Sequence, residues 1–330
     1  MKLKNISLIF FSIFFFSIII EIILRLNGDL PRKNPDFTVN EPLINIPDPV
    51  LGWKPKIGSH KFKPWSINGK ETYLTINKDK SRLTGNIDEN KDKIIFIGGS
   101  ITQGWAVSDD ETFPYIFQKN NLNHKVYNFG VGGYGGHQSL LMLEKVFKDK
   151  DKIKLVIYGL IPHHEIRNTA AGSWMYLLNF FSKRGFISLP YASIDKEKKL
   201  IKHQPIKYLT LPFGEDSALV AKIEKRIMKI RSLLRERKQT EISLSIIKEM
   251  NELSLINNSK FVLLFLEDFN DDRFKEYDLF LTSNNINHIK CLMPKGQKYI
   301  VPGDGHPNDL SHYEIGKCVD QKIKINNLIQ

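Results

Sequence analysis

Cysteine is nearly absent from this chain: its 330 residues include only Cys291 and Cys318. Neither stands in a C-x-x-C or metal-ligand spacing, which excludes the usual cysteine-based zinc and thiol-redox signatures. The pair leaves two readings open, a disulfide or two separate buried thiols. No internal repeat and no low-complexity tract occurs, and no G-x-S-x-G is present, which argues against an α/β-hydrolase nucleophile elbow. No RNA- or DNA-binding signature accompanies the formal charge of +12, so nucleic acid is set aside as a partner. The basic residues are scattered through turns and polar loops, as in Lys148, Lys150, Lys152 and Lys154, and read as solvated faces.

What is present begins with a run of 19 residues, 6–24, made almost wholly of Ile, Phe, Leu and Ser and broken only by Glu21. As a helix it reaches roughly 28 Å, close to a bilayer's hydrocarbon thickness. No Ala-x-Ala-like site follows it, which favours an uncleaved anchor over a signal peptide. Glu21 falls near the distal end, where a carboxylate reaches the headgroups. Lys2 and Lys4 on one side and Arg25, Arg32 and Lys33 on the other leave the orientation open.

Residues 1–28 are therefore read as a transmembrane anchor and 29–91 as a stalk merging into a small β element. Within that element Thr72-Tyr73-Leu74-Thr75-Ile76 alternates as an edge strand or half a hairpin. From residue 92 onward strands and helices alternate, the pattern of a parallel α/β sheet. Strands are expected at 94–97, 126–129, 155–160, 261–266 and 286–291. Helical spacing occupies 111–119, 138–147 and 310–328. Near-continuous apolar strands imply helices on both faces. The expected fold is a flavodoxin-like doubly wound sheet of about five strands. The stretch 165–258 breaks the rhythm: an irregular aromatic part holding Trp174, Tyr176, Phe180, Phe181, Phe186 and Tyr191, then a charged part long enough for two helices. It is read as an insertion beside the active-site edge of the sheet, its aromatic run either lining an acyl or glycan pocket or, as such runs more often do, forming the insertion's own core.

Chemistry concentrates at the strand exits, where open α/β sheets bind ligands. Ser100 follows the first strand in Gly98-Gly99-Ser100-Ile101-Thr102-Gln103-Gly104, and His306 lies far downstream in Asp304-Gly305-His306-Pro307-Asn308. A serine becomes a nucleophile when a carboxylate-oriented histidine takes its proton, so the two segments together point to acyl transfer. By itself Ser100 would only cap the next helix. Gly130, Gly132 and Gly135 spell G-x-G-x-x-G, but they follow the second strand and no acidic residue ends the next one. Bare amides aimed at an oxyanion are the better use of these glycines. His163, His164 and Glu165 leave the third strand without a further metal-ligand spacing, and no metal or cofactor is expected.

These blocks together resemble the SGNH, or GDSL-type, hydrolases over roughly residues 92–325. Ser100 resembles the first-block serine, with Gly99 where Asp is common; Gly133 resembles the second-block glycine, and His306 the last-block histidine. The anchor, Leu51-Gly52-Trp53-Lys54-Pro55 and Ile76-Asn77 resemble a membrane-anchored bacterial branch related to esterases and glycan O-acetylation proteins. The resemblance implies Ser100 as nucleophile, His306 as base and Asp304 as the acid. It implies an oxyanion hole built from the Ser100 and Gly133 amides with His164, or His163, where the family offers an asparagine. The family's acid stands three residues before the histidine; here that position is Gly303, and Asp304 stands two before. The implied activity is hydrolysis of acylated glycan or lipid-like esters, at the membrane and outside the cytoplasm. The alternatives are an envelope polysaccharide O-acetyltransferase and a non-catalytic glycan-binding module on the same fold.

Overall fold

The computed structural model describes residues 3–32, 44–63, 70–181 and 188–329. An apolar helix α1 (Leu3–Leu26) leads to two small hairpins, β1 (Asn45–Asp48) with β2 (Gly52–Pro55) and β3 (Gly58–Phe62) with β4 (Thr72–Ile76). There follow β5 (Asp92–Gly98), the single-turn α2 (Ser100–Gln103), α3 (Phe113–Asn120), β6 (His124–Gly130), α4 (Gly136–Asp149) and β7 (Ile153–Leu160). Next come α5 (His163–Asn168), α6 (Gly172–Phe181), a hairpin of β8 (Ser188–Ile194) and β9 (Leu200–Lys207), α7 (Ala218–Glu236) and α8 (Gln239–Ile256). The chain closes with β10 (Lys260–Phe265), α9 (Asp271–Ser283), β11 (Asn287–Lys290) and α10 (Asp309–Ile325).

The central sheet has the order β11-β10-β7-β5-β6 with every pair parallel. Successive strand residues serve opposite faces. Ile95, Ile97, Val156, Tyr158, Leu263 and Phe265 join Leu140, Leu143, Ile247 and Tyr277 in one core. Ile94, Phe96, Leu155, Ile157, Val262 and Leu264 join Phe113, Phe117, Ile315 and Val319 in the other. Each such fully buried side chain contributes about 1.5–3 kcal/mol. Helices thus cover both faces, and the sheet is doubly wound as expected. Its order reverses between β5 and β7, the switch point at which ligand crevices form.

Two features differ from the sequence expectation. The stretch 165–258 is divided: α8 packs on β10, α4 and α5 as the helix that covers the sheet before β10, while α6, β8–β9 and α7 form the added part. Helix α9 has no counterpart among the expected helices, since only Tyr277 and Leu281 of its residues are buried and its apolar periodicity is slight. A parallel β10–β11 pair nonetheless requires a crossover of this kind. Phe186 lies outside the described residues.

The segment ahead of the sheet is stitched to it. Arg82 is 1% exposed, and its amide donates to Asn128 O at the β6 edge. Its guanidinium donates to Asp109, to the carbonyls of Gln103 at the end of α2 and of Gly104 and Val107 beyond it, and to Tyr73 O. Cys291, just after β11, and Cys318 in α10 form a disulfide.

Residues 6–26 of α1 have a mean hydropathy of 2.7 and are long and apolar enough to cross a membrane.

Candidate active site

Ser100 begins α2 immediately beyond the carboxyl end of β5, and its side chain is buried. The Asn128 side chain holds this turn from below, donating to Thr102 O at 2.9 Å. His306 arrives on the loop before α10. That loop is closed by Val301 N donating to His306 O and Gly305 N donating to Val301 O, and Asn308 caps α10 by accepting from Ser311 N. The Ser100 Oγ to His306 Nε2 distance is 2.9 Å, and His306 Nδ1 lies 2.5 Å from Asp304 Oδ1.

Asp304 reaches His306 from only two residues away because Gly303 and Gly305 on either side of it have φ of +78° and +84°. These left-handed conformations fold the carboxylate back beneath the imidazole, and glycine adopts them without steric cost. The Asp304 side chain is fully buried. Burial pushes its carboxyl up, but hydrogen bonding and charge from His306, with the Trp105 indole, outweigh this and hold it below the ordinary carboxylate value. It is therefore an anion at neutral pH.

Among the described residues, the Ser100 and Gly133 amides donate to no protein acceptor, whereas the neighbouring Gly132 amide is taken by Gln103 Oε1 at 2.9 Å. Gly133 has φ +81°, and a Cβ there would lie 3.1 Å from the Trp53 ring and 3.5 Å from the Trp174 ring. Any other residue would be strained and crowded at once. Trp53 reaches this loop from β2, its indole donating to Gly132 O at 3.0 Å.

Of the adjacent histidines, His163 is exposed and His164 is 1% exposed. His164 Nε2 lies 2.7 Å from the point a Cβ on Gly99 would occupy, with Arg167 Nη1 at 3.1 Å from the same point. A side chain at 99, such as the Asp common in the resembling family, therefore has no room. Burial, together with the Arg167 cation and His163, drives the His164 imidazole well below its ordinary pKa, so the ring is neutral. Its Nδ1 lies 2.7 Å from the Tyr158 hydroxyl. Burial raises the Tyr158 pKa, and among the described residues the hydroxyl has no second acceptor. The favourable arrangement has Tyr158 donating to Nδ1. That fixes the proton of the neutral ring on Nε2, which has no protein partner among the described residues.

Several neighbours have no role assigned by the sequence. Arg167 is buried, donates to Tyr134 O at 3.0 Å and stacks on Trp174 at 4.5 Å. Burial lowers its pKa to about 10, against the opposing pull of Tyr158 and Glu267. Glu267 leaves β10 at the same sheet edge; burial raises its carboxyl, opposed by His163, Arg167 and His306. Trp105 donates to Asp304 Oδ2 at 3.4 Å. No spacing signal marks Trp53 or Tyr158; only the fold brings them here. Among the described residues no group of three or more His, Cys, Asp or Glu side chains is placed to hold a metal ion.

No protein-family model matches the sequence, and no curated protein matches it. Among solved structures, an esterase from Pseudoalteromonas sp. is 10% identical, with 72% of this chain and 100% of that one covered at a TM-score of 0.44. A member of the lipolytic protein G-D-S-L family from Veillonella parvula is 11% identical, with 70% and 98% covered at 0.38. An acetyl xylan esterase from the rumen bacterium Butyrivibrio proteoclasticus is 11% identical, with 79% and 68% covered at 0.40. Similarity this distant leaves the chemistry to be argued from the site itself.

Proposed function

We propose that the protein is a serine ester hydrolase of the SGNH type, with Ser100 as nucleophile, His306 as general base and Asp304 as its orienting acid. The observation that carries this reading is the continuous hydrogen-bonded array from Ser100 Oγ through His306 to the buried Asp304, standing at the switch point of the sheet. Nε2 of His306 takes the serine proton as Oγ attacks the ester carbonyl. The resulting oxyanion lies between the Ser100 and Gly133 amides and His164 Nε2–H. Collapse expels the alcohol, which receives the proton back from His306. Water then attacks the acyl-serine, again losing its proton to His306, which returns it to Ser100 Oγ as the carboxylic acid leaves. Loss of one preorganised oxyanion donor costs about 10²–10³ in rate.

The substrate read from the site is an acylated glycan or lipid-like ester. Trp53, Trp105 and Trp174 stand around Gly132 and Gly133, and an aromatic surround of this kind is common at sites that take a sugar or an acyl chain. The compartment read from the chain is extracytoplasmic: a disulfide persists in oxidising surroundings, and α1 supplies an anchor.

The test is labelling of the full-length protein with a fluorophosphonate, beside Ser100→Ala and His306→Ala. Adduct on Ser100 that vanishes in both variants is the expected result. A folded wild type that leaves Ser100 unlabelled, or a Ser100→Ala variant that still cleaves every ester the wild type cleaves, overturns it.

A further inference from the structure

We propose that α7 is a membrane-surface helix, lying on an anionic lipid headgroup layer with its outer apolar stripe in the interface; this rests on α1 spanning the bilayer. Helix α7 has two apolar faces. One, with Ala218, Ala221 and Met228, is buried in the protein together with Glu224 and Ser232. The other is uncovered: Ile223, Ile230 and Leu234 are 42%, 71% and 75% exposed. With 3.6 residues per turn these three fall within about 40° of one another around the helix axis. A second uncovered stripe of this kind on one amphipathic helix needs an apolar partner.

The charge on the helix says which partner. Its two carboxylates are turned inward and satisfied, Glu224 by Arg32 at 3.0 Å and Glu236 by the Gly172 amide at 3.0 Å. Lys225 turns over the Tyr176 ring, and outward charge is left to Arg226, Lys229 and Arg231, all exposed and all positive. An apolar stripe flanked by cations alone matches a lipid interface carrying anionic headgroups.

Position supplies the second, independent argument. The Glu21 carboxylate, one turn from the end of α1, caps α7 by accepting from Ser217 Oγ at 2.8 Å and from the Ala218 and Leu219 amides at 2.9 Å each. Arg25 donates to Asp216 O at 2.7 Å, and Asp29 pairs with Lys222. The two helices are in direct contact. The first turn of α7 is pinned to the rim of the apolar helix, and Phe213 beside it is 74% exposed. The inner side of α7 in turn supports the site. Ser232 accepts from Gly172 N, and Arg235 donates to Thr169 O, fixing the junction of α5 and α6, which carry His164, Arg167 and Trp174. A lipid-bound α7 holds the catalytic edge at the membrane surface.

The test uses the full-length protein in nanodiscs of phosphatidylcholine and phosphatidylglycerol, with single cysteines carrying an NBD fluorophore and doxyl lipids at shallow and deep positions as quenchers, each label read against its depth-matched quencher. Labels at Ile230→Cys and Leu234→Cys are compared with Phe14→Cys in α1 and Leu279→Cys on α9. The expected result is quenching at 230 and 234 comparable to that at 14 and several-fold above 279. Adding Arg226→Glu, Lys229→Glu and Arg231→Glu should weaken it at 230 and 234 only. Quenching at 14 with 230 and 234 matching 279 overturns the proposal and leaves the span intact. No quenching at 14 removes the spanning reading and the proposal with it. A blue shift at 230 that depends on protein concentration, without lipid quenching, assigns the face to a second copy and overturns the proposal.

Discussion

The Tyr158 hydroxyl lies 2.7 Å from Nδ1 of His164, on the side of the ring away from Gly99. One strand residue thereby decides which nitrogen of a buried imidazole carries hydrogen. Tyr158→Phe should lower kcat about tenfold to a hundredfold with KM little changed, because the Nε2–H donor is no longer enforced. Nitrogen chemical shifts of His164 should move from a single Nε2–H tautomer to a mixture. Unchanged shifts with unchanged kcat would remove Tyr158 from this role.

Gly99→Ala should be strongly deleterious, since its Cβ would stand 2.7 Å from His164 Nε2. Shortening the opposing side chain relieves that clash. In a double-mutant cycle, Gly99→Ala and His164→Asn should couple by about 1–3 kcal/mol in kcat/KM. Additive losses would show that the two positions do not compete for the same space.

Asp304→Asn keeps the size of the acid but loses the anion that orients His306. The expected loss in kcat is about 10³–10⁴-fold, with the Ser100 fluorophosphonate adduct forming correspondingly slowly. A loss below tenfold would assign Asp304 to shaping the loop alone.

Acid should destabilise the fold well before its carboxylates titrate. Burial, with nearby cations, holds His137 and His312 at about 3 and His164 well below its ordinary value. Below the ordinary 6.5 the unfolded chain takes up protons that these folded-state rings refuse. Their contribution is thus complete above that value and is lost as pH falls towards the folded pKa. Three such groups give a slope of about 4 kcal/mol per pH unit at its steepest. Urea midpoints measured across that window check the sign, and His137→Gln should flatten the slope by roughly a third.

Reduction of Cys291–Cys318, a separation of 27 residues, should lower stability by about 3–4 kcal/mol on loop-closure grounds. Thermal unfolding with and without reductant, beside the Cys291→Ala/Cys318→Ala variant, measures it.

Much of the sheet is legible in the sequence because strands buried on both faces must be apolar throughout, as 94–97 and 261–265 are. Helix α9 is not, since a helix that buries two side chains leaves little periodicity. Helix α8 is visible as a helix, but nothing local tells it from α7, although one covers the sheet and the other does not. At the site, Ser100, Gly133 and His306 are marked by glycine-rich exits and loop chemistry. The reach of Asp304 depends on two left-handed glycines, a backbone property that spacing rules do not encode. Trp53 stands in a block marked by resemblance and Tyr158 in an expected strand, but nothing in their neighbours announces that either side chain reaches the site.

Arg82 grips the turn behind Ser100, and Trp53 props the loop opposite. Descent by module shuffling must respect both. A lineage that exchanged its N-terminal helix for another leader would have to keep Arg32 opposite the buried Glu224; a breakpoint at the first strand of the sheet would leave the Ser100 turn without its scaffold. The heritable unit is larger than the sheet it encloses.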